Sequence, residues 1–139
     1  MYKTILLPVS AKAKERSFKG FEHAIALCED TLLLLHVCPP IPNIIGGERR
    51  KELIKKDEET AAEMLAPYIE EAENKGIRHR IIVDHGTPSD IIVKTASEQN
   101  ADLIVMFTDG RDTVTDMMLG SCTERVLRQT DVALLAVRK

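Results

Sequence analysis

Apolar residues gather in five short runs along the chain: Lys3–Val9, Thr31–Val37, Arg78–Val83, Ala101–Phe107 and Val132–Val137. Within most of them Leu, Ile and Val follow one another with little alternation, as in Ile5-Leu6-Leu7 and Leu32-Leu33-Leu34-Leu35. A strand with one wet face alternates apolar and polar residues, whereas a strand covered on both faces by helices does not. The runs therefore predict strands of a parallel sheet. Between them, apolar positions recur at helical spacing: Phe18, Phe21, Ile25 and Cys28, then Ala61, Met64, Leu65, Tyr68, Ile69 and Ala72.

Boundary residues sharpen the pattern. Lys75-Gly76 stops the second helix, a basic residue in the last turn with glycine beyond it. Thr87-Pro88-Ser89-Asp90 opens the third, with Thr87 as N-cap and Pro88 in the first helical position. Ser121-Cys122-Thr123-Glu124 opens the fourth, with Ser121 as N-cap and Glu124 completing a capping box. The segment Pro39–Lys56, with Pro39, Pro40, Pro42 and Gly46-Gly47, predicts a long loop into the second helix, and the mixed charges from Glu48 to Glu59 a solvated helix face. The order is β-α-β-α-β-α-β-α-β, an α/β chain read as one domain over residues 1–139 without an internal repeat.

In open α/β sheets, ligands sit beyond the carboxyl ends of the strands, where the strand order reverses. With strands one and four as neighbours, Pro8-Val9-Ser10, His36-Val37-Cys38 and Phe107 through Ser121 meet there. Gly120-Ser121 then brings a helix N-terminus to that edge, where unpaired amides and a partial positive charge suit an anion. The Ser121 hydroxyl and the amides of Cys122 and Thr123 would contribute donors. The alternative is structural: Gly120 as a turn glycine and Ser121 as a cap only.

Composition removes several function classes. The 139 residues are 44% hydrophobic and 29% charged, and 19 basic against 22 acidic side chains leave a net charge of −3, so nucleic acid is not an expected partner. The apolar runs are far shorter than the roughly 20 residues that span a bilayer, so no membrane association is expected. The N-terminus shows no secretory hydrophobic region, and the expected compartment is the cytoplasm. Cys28, Cys38 and Cys122 form no Cys-x-x-Cys pair, which argues for reduced thiols and against a zinc site. His23, His36, His79 and His85 show no metal-ligand spacing among themselves, and His36 reads as a hydrogen-bonded structural residue. Cys122, in a first helical turn, is either a space-filling residue or a redox-sensitive thiol of lowered pKa. Motifs for serine hydrolases, zinc proteases and P-loop enzymes are all missing, so no dedicated catalytic centre is expected.

Taken together, Lys3-Thr4-Ile5-Leu6-Leu7-Pro8-Val9, Leu34-Leu35-His36-Val37, Gly86-Thr87-Pro88, Ala101-Asp102-Leu103-Ile104-Val105-Met106, Leu119-Gly120-Ser121 and Glu124-Arg125-Val126-Leu127 resemble the universal stress protein family across nearly the whole chain. The resemblance implies a doubly wound, five-stranded parallel sheet of the adenine nucleotide alpha hydrolase type with strand order 3-2-1-4-5. It also implies a stress-response protein that binds ATP or another adenine nucleotide, with Mg²⁺ and at most slow hydrolysis, and that forms a homodimer through the last strand.

The nucleotide-binding branch of that family carries Gly-x2-Gly-x9-Gly-Ser/Thr and an Asp just after strand one. This chain keeps Gly110, Gly120 and Ser121, but has Phe107 at the first glycine and Ser10 at the Asp. The resemblance has Val37 meet adenine through its backbone and sets Pro8, Val9, Arg111, Cys122 and Thr123 at other lining positions. Asp109, Asp112 and Asp116 face Arg111 alone in the loop, so a phosphate there needs a divalent cation supplied with the nucleotide, and no protein-only metal site is assigned. Phe107 either fills the crevice or stacks on a flat ligand. The alternative function is the same fold without nucleotide, acting through its homodimer surface, with Val132–Val137 as the edge that pairs with a copy.

Overall fold

A computed structural model of the chain describes residues 2–10, 14–107 and 120–138, with only the backbone for 14–19. Each apolar run forms a strand: β1 Tyr2–Pro8, β2 Cys28–Cys38, β3 Arg78–His85, β4 Leu103–Phe107 and β5 Ala133–Val137. They make one five-stranded sheet in the order β3-β2-β1-β4-β5, every neighbouring pair parallel. The helices between them are α1 Lys14–Leu27, α2 Gly47–Asn74, α3 Pro88–Glu98 and α4 Ser121–Gln129.

The near-continuous apolar runs are explained by two cores. Ile5, Leu7, Leu32, Leu34, Leu103 and Val105 turn to one face and pack with Phe21 and Ala24 of α1 and Leu65, Tyr68 and Ala72 of α2. Leu6, Leu33, Leu35, Ile104 and Met106 turn to the other and pack with Ile91, Ile92 and Ala96 of α3 and Val126 of α4. Phe21 and Tyr68 meet edge to face, ring centroids 5.2 Å apart, which ties α1 to α2.

Two boundaries differ from the sequence expectation. The ladder between β2 and β3 continues beyond the apolar residues to pair Val37 with Asp84 and Cys38 with His85, so both strands are longer than their hydrophobic runs. At its other end β2 begins at Cys28, taking that residue out of the expected helical stripe. Helix α2 starts at Gly47, so nearly three turns of the predicted loop Pro39–Lys56 are helical. Gly46 is its N-cap, and the Arg50 guanidinium donates to the Ile45 carbonyl at 3.0 Å, so the charged segment anchors the proline-rich loop as well as facing solvent.

A parallel sheet collects all its carboxyl ends at one edge. The opposite edge is fixed by Asp102, whose carboxylate accepts the backbone N–H groups of Lys3 and Thr4 at 3.1 and 3.0 Å. Beyond β3 the chain bends at Gly86, where φ is +154° and an added Cβ would stand 3.0 Å from Ile91 Cδ1, so this turn needs glycine. Thr87 is the N-cap of α3 and Pro88 its first residue, as expected, although the Thr87 hydroxyl makes no cap bond.

Candidate functional site at the carboxyl edge of the sheet

Strand order reverses between β1 and β4, and the residues on either side of that crevice come from separate elements. Val9 follows β1, is buried, and donates its N–H to the Leu35 carbonyl at 2.8 Å. The His36 ring donates from Nδ1 to the Val9 carbonyl at 3.1 Å, the structural role expected of it. These two bonds hold the end of β1 against β2. Pro8 is half-buried, Ser10 is exposed, and Val37 is half-buried against the α3–α4 core.

Helix α4 brings its N-terminus to the same edge. Gly120, rather than Ser121, is the N-cap, with extended backbone at φ −56° and ψ 148°. The first helical bond runs from the Glu124 N–H to the Gly120 carbonyl at 3.0 Å, so the amides of Ser121, Cys122 and Thr123 precede the ladder and have no intrahelical acceptor. The expected Ser121–Glu124 capping box is thus displaced by one residue, and Glu124 instead accepts from Arg128 at 2.7 Å. Among the described residues, an added Cβ on Gly120 would touch nothing within 4 Å.

The remaining positions divide. Ser121 is exposed, while the Thr123 side chain is only 2% exposed, so Thr123 can offer its backbone but hardly its hydroxyl. Cys122 is half-buried, and burial raises its thiol pKa while Arg125 lowers it less, the opposite direction from the lowered pKa of the redox-thiol reading. Phe107, at the end of β4, packs against the α1–α2 core, with its Cβ 4.0 Å from where a Cβ on Gly20 would lie. Gly110 and Arg111, with Asp109, Asp112 and Asp116, lie outside the described residues.

One constellation had no sequence signature. Asp57 of α2 accepts a hydrogen bond from His85 Nε2 at 2.8 Å, and Cys38 lies beside them, so that one potential ligand atom from each is within 4.8 Å of the others. Burial, with the Asp57 carboxylate adding to it, pushes the Cys38 thiol pKa up. The available signal was phase: Asp57 stands four residues before Ala61 on the stripe that continues through Leu65, Tyr68 and Ala72, a carboxylate in line with buried apolar positions. A separate open basin of about 620 Å³ lies at the opposite edge, lined among others by Thr31, Glu73 and His79, far from both groups in the fold.

An open, doubly wound α/β chain with its strand-order reversal between β1 and β4 and a glycine-capped helix at that point is the class of protein defined here. The chain belongs to the universal stress protein family: the description "Universal stress protein family" matches residues 1–138. It is 28% identical over 156 residues to Universal stress protein MJ0577 of Methanocaldococcus jannaschii, covering 100% of this chain and 96% of that protein. The solved structure of MJ0577 superposes with a TM-score of 0.78 at 29% identity, covering 100% and 97% of the two chains. Two more distant structures share the fold. A universal stress protein in complex with cAMP has a TM-score of 0.69 at 21% identity and coverage of 98% and 97%. An Arabidopsis thaliana family member with AMP bound has a TM-score of 0.68 at 14% identity and coverage of 99% and 92%. Among the described residues no helix is long and apolar enough to cross a membrane.

Proposed function

We propose that this chain is a cytoplasmic stress-response protein that binds an adenine nucleotide, ATP foremost, between the carboxyl ends of β1 and β4. The observation that carries the reading is the α4 N-terminus, whose unladdered amides follow the N-cap Gly120 at the strand-order reversal. Fold neighbours solved with cAMP and AMP support the ligand class. In this reading the amides of Ser121, Cys122 and Thr123 and the Ser121 hydroxyl hold phosphate. The Val37 backbone meets adenine, and Pro8, Val9, Ser10 and Phe107 line the ribose side. Gly110 and Arg111 would complete the phosphate loop, and Mg²⁺ carried in with the nucleotide would offset the negative charge of Asp109, Asp112 and Asp116. Purified protein, denatured and spun down, is expected to release adenine nucleotide into the supernatant. Supernatant free of nucleotide, from protein that also fails to take it up on incubation, would remove the reading.

A second reading, a nucleotide-free interaction module, draws on Phe107 and Ser10 standing where the family motif has Gly and Asp. Both readings include a homodimer. Strand β5 is an edge of the sheet among the described residues, and a second copy would pair along its outer backbone. Leu135 packs against the α1–α2 core, so a charge belongs instead on exposed Ala133. Light scattering is expected to give a dimer mass for the parent and a monomer mass for Ala133→Lys; equal dimer masses would place the interface elsewhere.

A further inference from the structure

We propose that Cys38, Asp57 and His85 form a binding site for a zinc-type divalent cation, set at the carboxyl ends of β2 and β3 and closed by α2. One ligand atom from each residue already lies within 4.8 Å of the other two. Zinc with bond lengths of about 2.0–2.3 Å in a tetrahedral shell separates its ligands by roughly 3.3–3.8 Å. Closing the site therefore takes a contraction of roughly 1 Å, within reach of side-chain rotation without moving the backbone.

The backbone is held in place by the fold. Cys38 and His85 are register partners in adjacent parallel strands, and the Gly86 N–H donates to the Cys38 carbonyl at 3.0 Å. Both side chains leave the sheet on the face that α2 covers, as the in-register pair Leu34 and Ile81 does four residues earlier. Asp57 is carried by the same helical stripe that buries Ala61 and Leu65. Three ligands on three elements, each fixed by core packing, give a site that needs little ordering when a cation arrives.

The donor set selects the cation. A thiolate sulfur, an imidazole nitrogen and a carboxylate oxygen suit a borderline ion such as Zn²⁺ and suit Mg²⁺ or Ca²⁺ poorly, since those prefer all-oxygen shells. Thiolate and carboxylate together supply two negative charges against the two positive charges of the ion, and the thiol proton leaves to solvent on binding. Cys38 is 6% exposed and the His85 side chain 15%, while the Asp57 side chain is 39% exposed, so the ion would enter from the Asp57 side. Three protein ligands leave a fourth position for water or an incoming ligand. The site begins one residue beyond Val37 but does not depend on nucleotide, so either proposal can fail while the other stands.

The test uses the full chain, stripped of metal by chelator, in the absence of nucleotide. Titration with Co²⁺ is expected to saturate at one ion per chain, with intense tetrahedral bands and a thiolate-to-cobalt charge-transfer band, all displaced by Zn²⁺. Cys38→Ser is expected to abolish the charge-transfer band. Cys38→Ser, Asp57→Asn and His85→Gln should each weaken Zn²⁺ binding by at least about tenfold, the low end of what even supporting residues of a metal site contribute. Cys28→Ser, a thiol at the far edge of the sheet, should leave binding unchanged. Zn²⁺ should also shield Cys38 of the parent from alkylation, a readout that needs no variant to fold. Absence of saturable binding, or charge transfer that survives Cys38→Ser, or alkylation of Cys38 indifferent to Zn²⁺, would overturn the proposal.

Discussion

A Gly120→Asp variant is expected to melt at or slightly above the parent temperature and to bind adenine nucleotide at least about tenfold more weakly. The two halves of that expectation come from the same atoms. Gly120 has φ −56° and ψ 148°, an ordinary conformation for any residue, and a Cβ there meets nothing within 4 Å among the described residues. Aspartate is among the best N-cap residues, gains a few tenths of a kcal/mol over glycine, and sits at the positive end of the helix dipole. The same carboxylate occupies the anion's place. Two like charges about 4 Å apart repel by about 4 kcal/mol at an effective dielectric of about 20, and a third of that already costs about tenfold in affinity. Paired thermal melts and nucleotide titrations check both halves. A stable variant with parental affinity would show that phosphate does not bind at the α4 N-terminus.

Leu34→Ala is expected to lower folding stability by about 2–5 kcal/mol. Leu34 is fully buried in β2, in register with Leu7 on one side and Ile81 on the other, and lies in the core that α1 and α2 share. Truncation leaves a cavity among strands whose backbones are fixed by ladders on both sides, so little relaxation can refill it. Since domains of this kind are stable by about 5–15 kcal/mol, the loss would consume a large share of the total. Urea unfolding should show a lower midpoint at unchanged slope; a loss under about 1 kcal/mol would mean that the site is not packed as described.

The sheet was legible because its signal is strong and local. A run such as Leu32-Leu33-Leu34-Leu35 has no polar face, and only a strand sandwiched between helices can bury both sides of it. The two faces of that run are what the structure shows, Leu32 and Leu34 in one core and Leu33 and Leu35 in the other. The start of α2 was less legible, because its first turns carry mainly charges, and proline and glycine just before them read as loop. At α4 the sequence placed the cap one residue late: Ser121 followed by Glu124 matches a capping box, yet the helical ladder already begins at the Gly120 carbonyl.

The two candidate sites differ in how the sequence encodes them. The proposed nucleotide site draws on residues close together in the chain around Gly120, supplemented by the ends of β1 and β2, so motif spacing and strand order are enough to propose it. The Cys38–Asp57–His85 group has no such spacing; Asp57 and His85 alone are 28 residues apart, and only the register of β2 with β3 and the phase of α2 bring them together. No pairwise motif encodes a meeting that depends on a ladder extending past its apolar residues.

Adenine nucleotide binding at the β1–β4 crevice is open to calorimetric titration of the nucleotide-stripped chain with ATP in the presence and absence of Mg²⁺. Saturable binding of one ATP per chain is expected, tighter when Mg²⁺ is added, because the cation offsets the acidic residues Asp109, Asp112 and Asp116. Absence of saturable heat with ATP, with or without Mg²⁺, and equally with AMP and cAMP, would contradict it.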